Sequence, residues 1–272
     1  MNLKISLLKF VSFVWDWVKD STIFFDPDDK ILVLRDNLKP LLCFDLDETL
    51  IRTHWKDAVN TQIWQSLNLM LAFQESQIKK GAIKHENREL FRIIIHNGSS
   101  KIAIVQLRPY LREFFIQAKQ KYNLSYWSAG QQVYVNTILK IFSNISNSDN
   151  CYLFAWSWDQ CHEEDVKDHV LGPLVYTKPI EFIFHKVVDA TNQNTLLVDN
   201  RKDNGCHNPQ NLVHVPDFLP EPWVDFTVKD NFKQYSISND VYLQSAIFED
   251  IEKQLHLIKN TTDPTFAQRD VL

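Results

Sequence analysis

Residues 42–53 read Leu-Cys-Phe-Asp-Leu-Asp-Glu-Thr-Leu-Ile-Arg-Thr, and this stretch decides the fold. The apolar run Leu41–Phe44 predicts a buried strand of a parallel sheet, a kind of sheet that places chemistry just beyond the carboxyl ends of its strands. Asp45 and Asp47 follow at that end and repel each other unless a cation or a proton stabilises the pair. The pattern favours a metal-assisted carboxylate nucleophile with a second carboxyl as acid and base. The alternative is an acidic loop that caps a helix.

In the rest of the chain, short apolar runs typical of strands alternate with segments of helical periodicity. This alternation predicts an α/β fold with a Rossmann-like parallel sheet and helices on both faces. Two β-rich runs flank Asn97-Gly98, a strong signal for a β-hairpin inserted between strand and helix. The other expected strands are Leu124–Trp127, Tyr152–Trp156, Leu174–Thr177, Thr195–Val198 and Leu212–Val215. The expected helices are Thr61–Lys80, a segment from Arg108-Pro109 to Lys121, Val133–Phe142 and Val241–Ile258.

Composition limits the class of protein. The chain has 272 residues, of which 44% are hydrophobic, enough to build the core of one large domain. The net charge is −5 and no stripe of Lys and Arg is present, so nucleic-acid binding is not expected. Four cysteines without CxxC spacing predict reduced thiols and a cytoplasmic location. The Asn-, Lys- and Ile-rich, Gly-poor composition hints at an AT-rich genome, such as that of a pathogen, and delivery into a host cell as an effector stays open.

The N-terminal segment leaves two interpretations. Residues 1–19 form an amphipathic pattern, and residues 1–29 are interpreted as this helix followed by a turn-rich joint. The helix either packs on the domain, which would bury Trp15 and Trp17, or makes a weak contact with a membrane surface or a partner. The main domain is expected to span residues 30–260, and residues 261–272 form a C-terminal tail.

Polar residues follow three predicted strands, and a lysine precedes a predicted helix. They are Asp45, Asp47, Ser128, Lys178, Asp199, Asn200 and Asp203. Their order resembles that of haloacid dehalogenase (HAD) superfamily phosphatases. The stretches Asp45–Leu50, Leu107–Phe115 and Leu197–Asn200 resemble the branch of RNA-polymerase C-terminal-domain phosphatases, and the likeness covers roughly residues 38–258.

This resemblance implies a role for each residue. Asp45 would attack phosphorus and form an aspartyl-phosphate, while Asp47 would protonate the leaving oxygen and then activate water. Ser128 and Lys178 would bind the phosphoryl oxygens. Thr49 is assigned to the same phosphate-binding set, and it would also hold the loop that carries Asp45 and Asp47.

The resemblance also implies Mg²⁺. Its ligands would be Asp45, the Asp47 backbone carbonyl and Asp199, with water and phosphate oxygens completing an octahedron. Asn200 would order a metal-bound water, and Asp203 would orient Lys178 or a nearby water.

The expected substrate is a phosphorylated protein. The insertion between residues 54 and 107 holds one helix and a hairpin, which is too little for a separate cap, so the site should admit a protein side chain. The residues after Ser128 and after Asn200 depart from the branch's usual continuation, which leaves phosphoserine, phosphothreonine and phosphotyrosine open. The alternatives are a small-molecule or nucleic-acid-end phosphatase and a catalytically vestigial scaffold that binds phosphoproteins.

Overall fold

The computed structural model describes residues 32–33, 38–146, 152–165, 174–220 and 240–260. The predictions for the N-terminal helix, including the burial of Trp15 and Trp17, and for the C-terminal tail lie outside these residues. Among the residues that are described, no helix is both long enough and apolar enough to cross a membrane.

A five-stranded parallel sheet forms the centre of the protein, as predicted. Its strands, in spatial order, are β12 (Leu212–His214), β11 (Thr195–Asp199), β2 (Leu41–Phe44), β6 (Asn123–Trp127) and β7 (Tyr152–Trp156). The registers pair Phe44 with Val198 on one side and with Tyr126 on the other. Strand β2 is therefore central, and all four of its residues are buried, which explains why its sequence is a continuous apolar run.

Both faces of the sheet are covered. Because neighbouring residues of a strand point to opposite sides, β2 contributes side chains to a core on each face. Leu42 and Phe44 belong to a large core, whereas Leu41 and Cys43 belong to a second, smaller one. The large core is closed by the helices α2 (Leu111–Lys121), α3 (Gln132–Ser146), α5 (Tyr242–Ser245) and α6 (Ile247–Asn260). The smaller core is covered by the short helix α4 (Glu181–Lys186) and the strand pair β1 (Leu32–Val33) and β10 (Val187–Val188). The prediction of an α/β fold with helices on both faces is confirmed.

The predicted hairpin is present and joins a third strand. Strands β3 (Ile51–Trp55), β5 (Ser99–Leu107) and β4 (Leu90–Asn97) form an antiparallel sheet in this order. Gly98 has a φ of 68° at the turn, a left-handed conformation that glycine adopts without a steric cost. Helix α1 (Thr61–Lys79) packs on this sheet through Leu67 and Leu71, which contact Ile104 in a small core of their own. The insertion is thus a folded unit, and the absence of a cap stays a prediction.

A second antiparallel pair, β8 (His162–Asp165) and β9 (Leu174–Thr177), lies beyond β7 and leads into α4. Four short 3-10 helices complete the described elements: His85–Asn87, Trp158–Gln160, Lys202–Gly205 and Pro209–Asn211. The predicted single C-terminal helix is two helices, α5 and α6, separated at Ala246. The pair β8–β9 matters for function because it delivers Lys178 to the end of the central sheet.

His54 makes the stability of the insertion sensitive to pH. Burial, followed by the nearby charge of Arg52, lowers the pKa of His54 to about 4 from 6.5. Between these values the unfolded chain binds a proton that the folded chain does not, so stability falls as the pH drops from 6.5 towards 4. Going from pH 7 to pH 5 should therefore cost the wild type about 2 kcal/mol through this group.

The comparison with His54→Gln isolates this contribution, because an amide resembles neutral imidazole but does not titrate. Urea denaturation of both proteins at pH 7 and pH 5 measures the difference in unfolding free energy. The wild type should lose about 2 kcal/mol more than the variant. An equal loss in the two proteins would show that His54 is protonated in the folded state as readily as in the unfolded state.

Candidate active site

The structure brings the predicted acids and the predicted serine to one edge of the sheet. Asp45 follows β2, Asp199 ends β11 and Ser128 follows β6, and these three strands are parallel neighbours. Because parallel strands end at the same edge, the three side chains meet there. Ser128 is buried, its Oγ accepts a hydrogen bond from the Gly130 N–H at 3.0 Å, and it lines the same cavity as Asp45.

Lys178 connects two of these strand ends. It follows β9, and its Nζ donates one hydrogen bond to Oδ1 of Asp45 and another, of 2.8 Å, to Oδ2 of Asp199. The lysine side chain is only 1% exposed. Burial alone lowers the pKa of Lys178, but the two carboxylates outweigh this effect and raise it above its usual range. Lys178 is therefore a cation that lies directly beside Asp45.

The site nevertheless carries an excess of negative charge. Burial raises the pKa of Asp45 to about 7, even though Lys178 lowers it, and the negative charge of Asp199 adds to the increase. Burial also raises the pKa of Asp47. Asp45 and Asp199 share the ammonium group of Lys178, and Asp47 lines the same cavity as Asp45, so a divalent cation would supply further positive charge. The oxygen donors at this edge are of the kind that a hard cation prefers, and the residues present thus fit a magnesium-like ion.

The hydrogen bonds of Asp199 suggest a different distribution of the metal ligands. Oδ1 of Asp199 accepts from the Arg201 backbone N–H at 2.8 Å, while Oδ2 accepts from Lys178 and from Nδ2 of Asn204, both at 2.8 Å. Asp199 is fully buried and does not line the cavity, whereas Asn200 does. The geometry therefore assigns Asp199 to holding Lys178. Asn200, which was expected only to order a water, lines the cavity, and its Oδ1 accepts from Thr49 while its Nδ2 donates to Asp217 at 3.0 Å.

The phosphate-binding role given to Thr49 does not agree with its position. Thr49 is 1% exposed, and it is not among the residues that line the cavity. Its Oγ1 donates to Oδ1 of Asn200 and accepts from the Asn200 backbone N–H, both at 3.1 Å. Thr49 thus ties the loop after β2 to the loop after β11, which agrees with the other half of the prediction, that it holds the loop.

Of the two roles predicted for Asp203, the contact with Lys178 is not seen, and the orientation of a nearby water stays a prediction. The carboxylate of Asp203 accepts two hydrogen bonds from the guanidinium of Arg201, and Lys178 donates to Asp45 and Asp199 instead. Sequence pattern does not distinguish Asp203 from its neighbour Asn204, because both lie in the same short 3-10 helix after Asp199. The side chain that contacts Asp199 belongs to Asn204.

Arg108 stabilises the loop that carries Asp45 and Asp47. Its side chain is 1% exposed, and its Nη1 donates to the Thr49 carbonyl at 2.9 Å. Its Nε donates to Asp240 at 2.9 Å, and the guanidinium lies 5.1 Å from the ring centre of Tyr242. The Arg-Pro sequence, which the family resemblance singled out as the start of a helix, therefore also fixes the loop that carries the two aspartates.

Tyr134 is a site residue that sequence reasoning missed. It lies on α3, lines the cavity, and donates its hydroxyl proton to both carboxylate oxygens of Asp47, at 2.7 and 2.8 Å. The sequence pattern of this segment predicts only that it is a helix. A tyrosine with a buried ring and a polar edge is common in cores, so no local signal marks its hydroxyl as functional.

The cavity that holds these groups has a volume of about 900 Å³. Its lining includes Asp45, Asp47, Ser128, Lys178 and Asn200. The insertion also lines it, through Trp55, Ile95, Asn97, Ser99 and Lys101. The hairpin also reaches the loop after β6, because Nδ2 of Asn97 donates to Oε1 of Gln131 at 2.9 Å. The insertion is therefore a wall of the site.

A five-stranded parallel sheet with paired aspartates, a serine and a lysine at its carboxyl edge defines a phosphatase of the HAD type. The model of the NLI interacting factor-like phosphatase family matches residues 40–238. This chain belongs to that family. The family assignment confirms the resemblance to the C-terminal-domain phosphatase branch.

Individual relatives are distant. The chain is 23% identical over 217 residues to ubiquitin-like domain-containing CTD phosphatase 1 of Rattus norvegicus, a match that covers 74% of this chain and 67% of the relative. It is 27% identical over 130 residues to the Xenopus tropicalis protein of the same name, covering 47% of this chain and 40% of the relative. The match to the Homo sapiens protein is 25% identical and also covers 40% of it.

Two solved structures that the chain matches are also distant in sequence. The structure of Fcp1, an essential RNA polymerase II CTD phosphatase, is 16% identical with a TM-score of 0.47, and the match covers 85% of this chain and 57% of that one. A fission yeast Fcp1 variant bound to beryllium fluoride is 17% identical with a TM-score of 0.47, covering 81% of this chain and 52% of that one. The chain thus spans little more than half of each of these two solved structures.

Proposed function

We propose that this protein is a magnesium-dependent phosphatase that removes phosphate from serine, threonine or tyrosine side chains of proteins through an aspartyl-phosphate. The observation that carries the proposal is the contact of Lys178 with Asp45 and Asp199, beside Asp47 and Ser128 in one cavity. This arrangement provides a nucleophile, a second carboxyl for proton transfer and a fixed cation for the phosphoryl group. Family membership and the relatives named as CTD phosphatases support the choice of a protein substrate.

The chain's own groups account for both half-reactions. An oxygen of Asp45 attacks phosphorus, the bond from phosphorus to the leaving oxygen breaks, and that oxygen takes a proton from Asp47. Asp47 then removes a proton from the water that attacks the phosphorus of the aspartyl-phosphate, and Asp45 is released as a carboxylate. Lys178 and the Ser128 hydroxyl stabilise the negative charge of the phosphoryl oxygens in both steps.

Asp45, the Asp47 backbone carbonyl and Asn200 would hold the divalent ion. When bound, the ion supplies positive charge that reduces the repulsion between the phosphate and the carboxylates. Among the described residues, no three His, Cys, Asp or Glu side chains gather into a metal cluster. The proposed set contains one carboxylate side chain, and Mg²⁺ usually takes one or two carboxylates and keeps several waters.

The assignment of Asn200 predicts a specific effect on metal dependence. Asn200→Ala should raise the Mg²⁺ concentration needed for half-maximal activity at least about tenfold, a scale typical for weakened metal sites. Stabilisation by Mg²⁺ in a thermal melt provides a measurement that does not depend on turnover. Asp203→Asn is the matched control and should leave the requirement unchanged. If Asn200→Ala kept the wild-type metal dependence, Asn200 would not be a ligand.

A substrate panel tests the proposed function. The panel contains phosphoserine, phosphothreonine and phosphotyrosine peptides, sugar phosphates and nucleotides, each assayed with Mg²⁺ and with excess chelator. We expect kcat/KM to be higher for at least one class of phosphopeptide than for any small metabolite, and turnover to stop in chelator. Preferred hydrolysis of sugar phosphates or nucleotides would favour the small-molecule alternative. Binding of phosphopeptides without turnover of any substrate would indicate the vestigial scaffold.

A further inference from the structure

The carboxyl group of Asp47 is oriented by a side chain from another part of the chain. The Tyr134 hydroxyl lies 2.7 Å from Oδ1 and 2.8 Å from Oδ2 of Asp47, so its proton is shared between the two oxygens. Asp47 belongs to the loop after β2, and Tyr134 belongs to α3, which follows β6. The contact therefore joins the proton-transfer group to a rigid helix of the main core.

Packing fixes the ring of Tyr134 in place. The residue is 5% exposed, and its ring centre lies 5.7 Å from that of Trp55. On another side the ring approaches Gly130 so closely that a Cβ at this glycine would lie 2.6 Å from Cδ1 of Tyr134. Only a residue without a side chain allows this approach. The hydroxyl is thus held in one position, and a fixed donor restricts the rotation of the carboxyl group that accepts from it.

Thr53 adds a second hydroxyl to the same chain of hydrogen bonds. Its Oγ1 lies 2.6 Å from the Tyr134 hydroxyl oxygen. A phenol has one proton, so Thr53 is the donor in this contact whenever the proton of Tyr134 points at Asp47. The resulting sequence of donors runs from Thr53 through Tyr134 to Asp47. Such a chain strengthens each of its bonds and opposes the turning of the phenol away from the carboxyl group.

We propose that Tyr134, supported by Thr53, is a positioning residue that aims the Asp47 carboxyl at the leaving oxygen of the substrate. This inference rests on the proposed function, because it assigns a partner to the group that protonates the leaving oxygen. A proton can be delivered only when the carboxyl group lies within hydrogen-bond reach of that oxygen. Removal of the Tyr134 hydroxyl frees the carboxyl group to rotate, so proton delivery becomes less probable although Asp47 itself is still present.

The dependence of the rate on the leaving group distinguishes positioning from a general structural role. A p-nitrophenolate ion leaves without a proton, whereas a phenolate or a serine alkoxide is more basic and needs one. The parameter kcat/KM covers the steps up to the departure of the leaving group, so it reports on this protonation. A residue that only shapes the fold or the phosphate site would affect good and poor leaving groups equally.

The test compares Tyr134→Phe and Thr53→Val with the wild type on p-nitrophenyl phosphate, phenyl phosphate and the best phosphopeptide. For Tyr134→Phe we expect kcat/KM to fall by roughly tenfold to a hundredfold on phenyl phosphate and the phosphopeptide, but by less than about threefold on p-nitrophenyl phosphate. Thr53→Val should show the same pattern with a smaller loss. Tyr122→Phe is the matched control, because Tyr122 is also buried and its hydroxyl donates to a carboxylate, Glu252, at 2.5 Å.

The outcomes separate this inference from the proposed function. Equal losses on all three substrates, or no loss on any of them, would overturn the positioning role of Tyr134. A larger loss on the poor leaving groups, absent from Tyr122→Phe, would support it. The aryl phosphates alone are sufficient for this comparison, so the result does not depend on which peptide is hydrolysed. Failure of the proposed function would appear elsewhere, as wild-type enzyme that does not hydrolyse phosphopeptides.

Discussion

Asp45→Asn should abolish turnover and leave the fold intact. An amide cannot act as the nucleophile that forms an acyl-phosphate, so the rate should fall below roughly a hundredth of the wild-type value. The fold should tolerate the change, because burial already raises the pKa of Asp45 to about 7 and a neutral amide of the same shape relieves this cost. Lys178 keeps its second partner, Asp199, in the variant. Turnover of a phosphopeptide and a thermal melt measure the two effects.

Asp47→Asn provides the contrast that identifies the nucleophile. This variant retains Asp45 but lacks the group that activates water, so it should accumulate phosphoenzyme when p-nitrophenyl phosphate, which needs no proton, is the substrate. When the phosphate of the substrate is labelled, acid quenching should therefore trap labelled phosphoenzyme from Asp47→Asn and none from Asp45→Asn. Labelled protein from Asp45→Asn, or more than about a hundredth of the wild-type rate, would place the nucleophile elsewhere.

The sequence predicted those features that depend on local pattern and strand order. The apolar run Leu41–Phe44 is a central parallel strand, and the Asn97-Gly98 turn is a hairpin. The meeting of Asp45 and Asp199 follows from two neighbouring parallel strands, because residues at their carboxyl ends must lie side by side. To predict that two such residues meet, it is enough to know the direction of each strand and which strands are its neighbours.

Roles that depend on side-chain direction could not be read from the sequence. Asp199 and Asn200 are adjacent, and which of them faces the cavity depends on how the chain turns after β11. Thr49 contacts Asn200, which is 151 residues away in sequence. Tyr134 and Asp47 are 87 residues apart and meet only because α3 packs against the loop after β2. The sequence pattern predicts a helix at Tyr134, but it does not show what the hydroxyl group contacts.

The largest effect on stability is expected for Lys178→Met. The lysine is 1% exposed and pairs with Asp45 and Asp199, whose side chains are 11% and 0% exposed. Methionine fills a similar volume but leaves the two carboxylates without their cation. Breaking a buried ion pair by removing one partner typically costs about 3–5 kcal/mol, because an uncompensated charge stays in the interior. Urea denaturation at pH 8 should show a loss of this size, together with loss of turnover.

Restoring the charge balance should recover part of the stability. In the double variant Lys178→Met/Asp199→Asn only the carboxylate of Asp45 stays charged, and Asp45 lines the cavity. The double variant should therefore be more stable than Lys178→Met, while it stays inactive because the phosphoryl group has lost its cation. Mg²⁺ should also stabilise the single variant, since it replaces positive charge next to Asp45. A single variant as stable as the wild type at pH 8 would show that the ion pair contributes no net stability. Equal stability of the single and double variants would show that Asp199 does not need Lys178 as its cation.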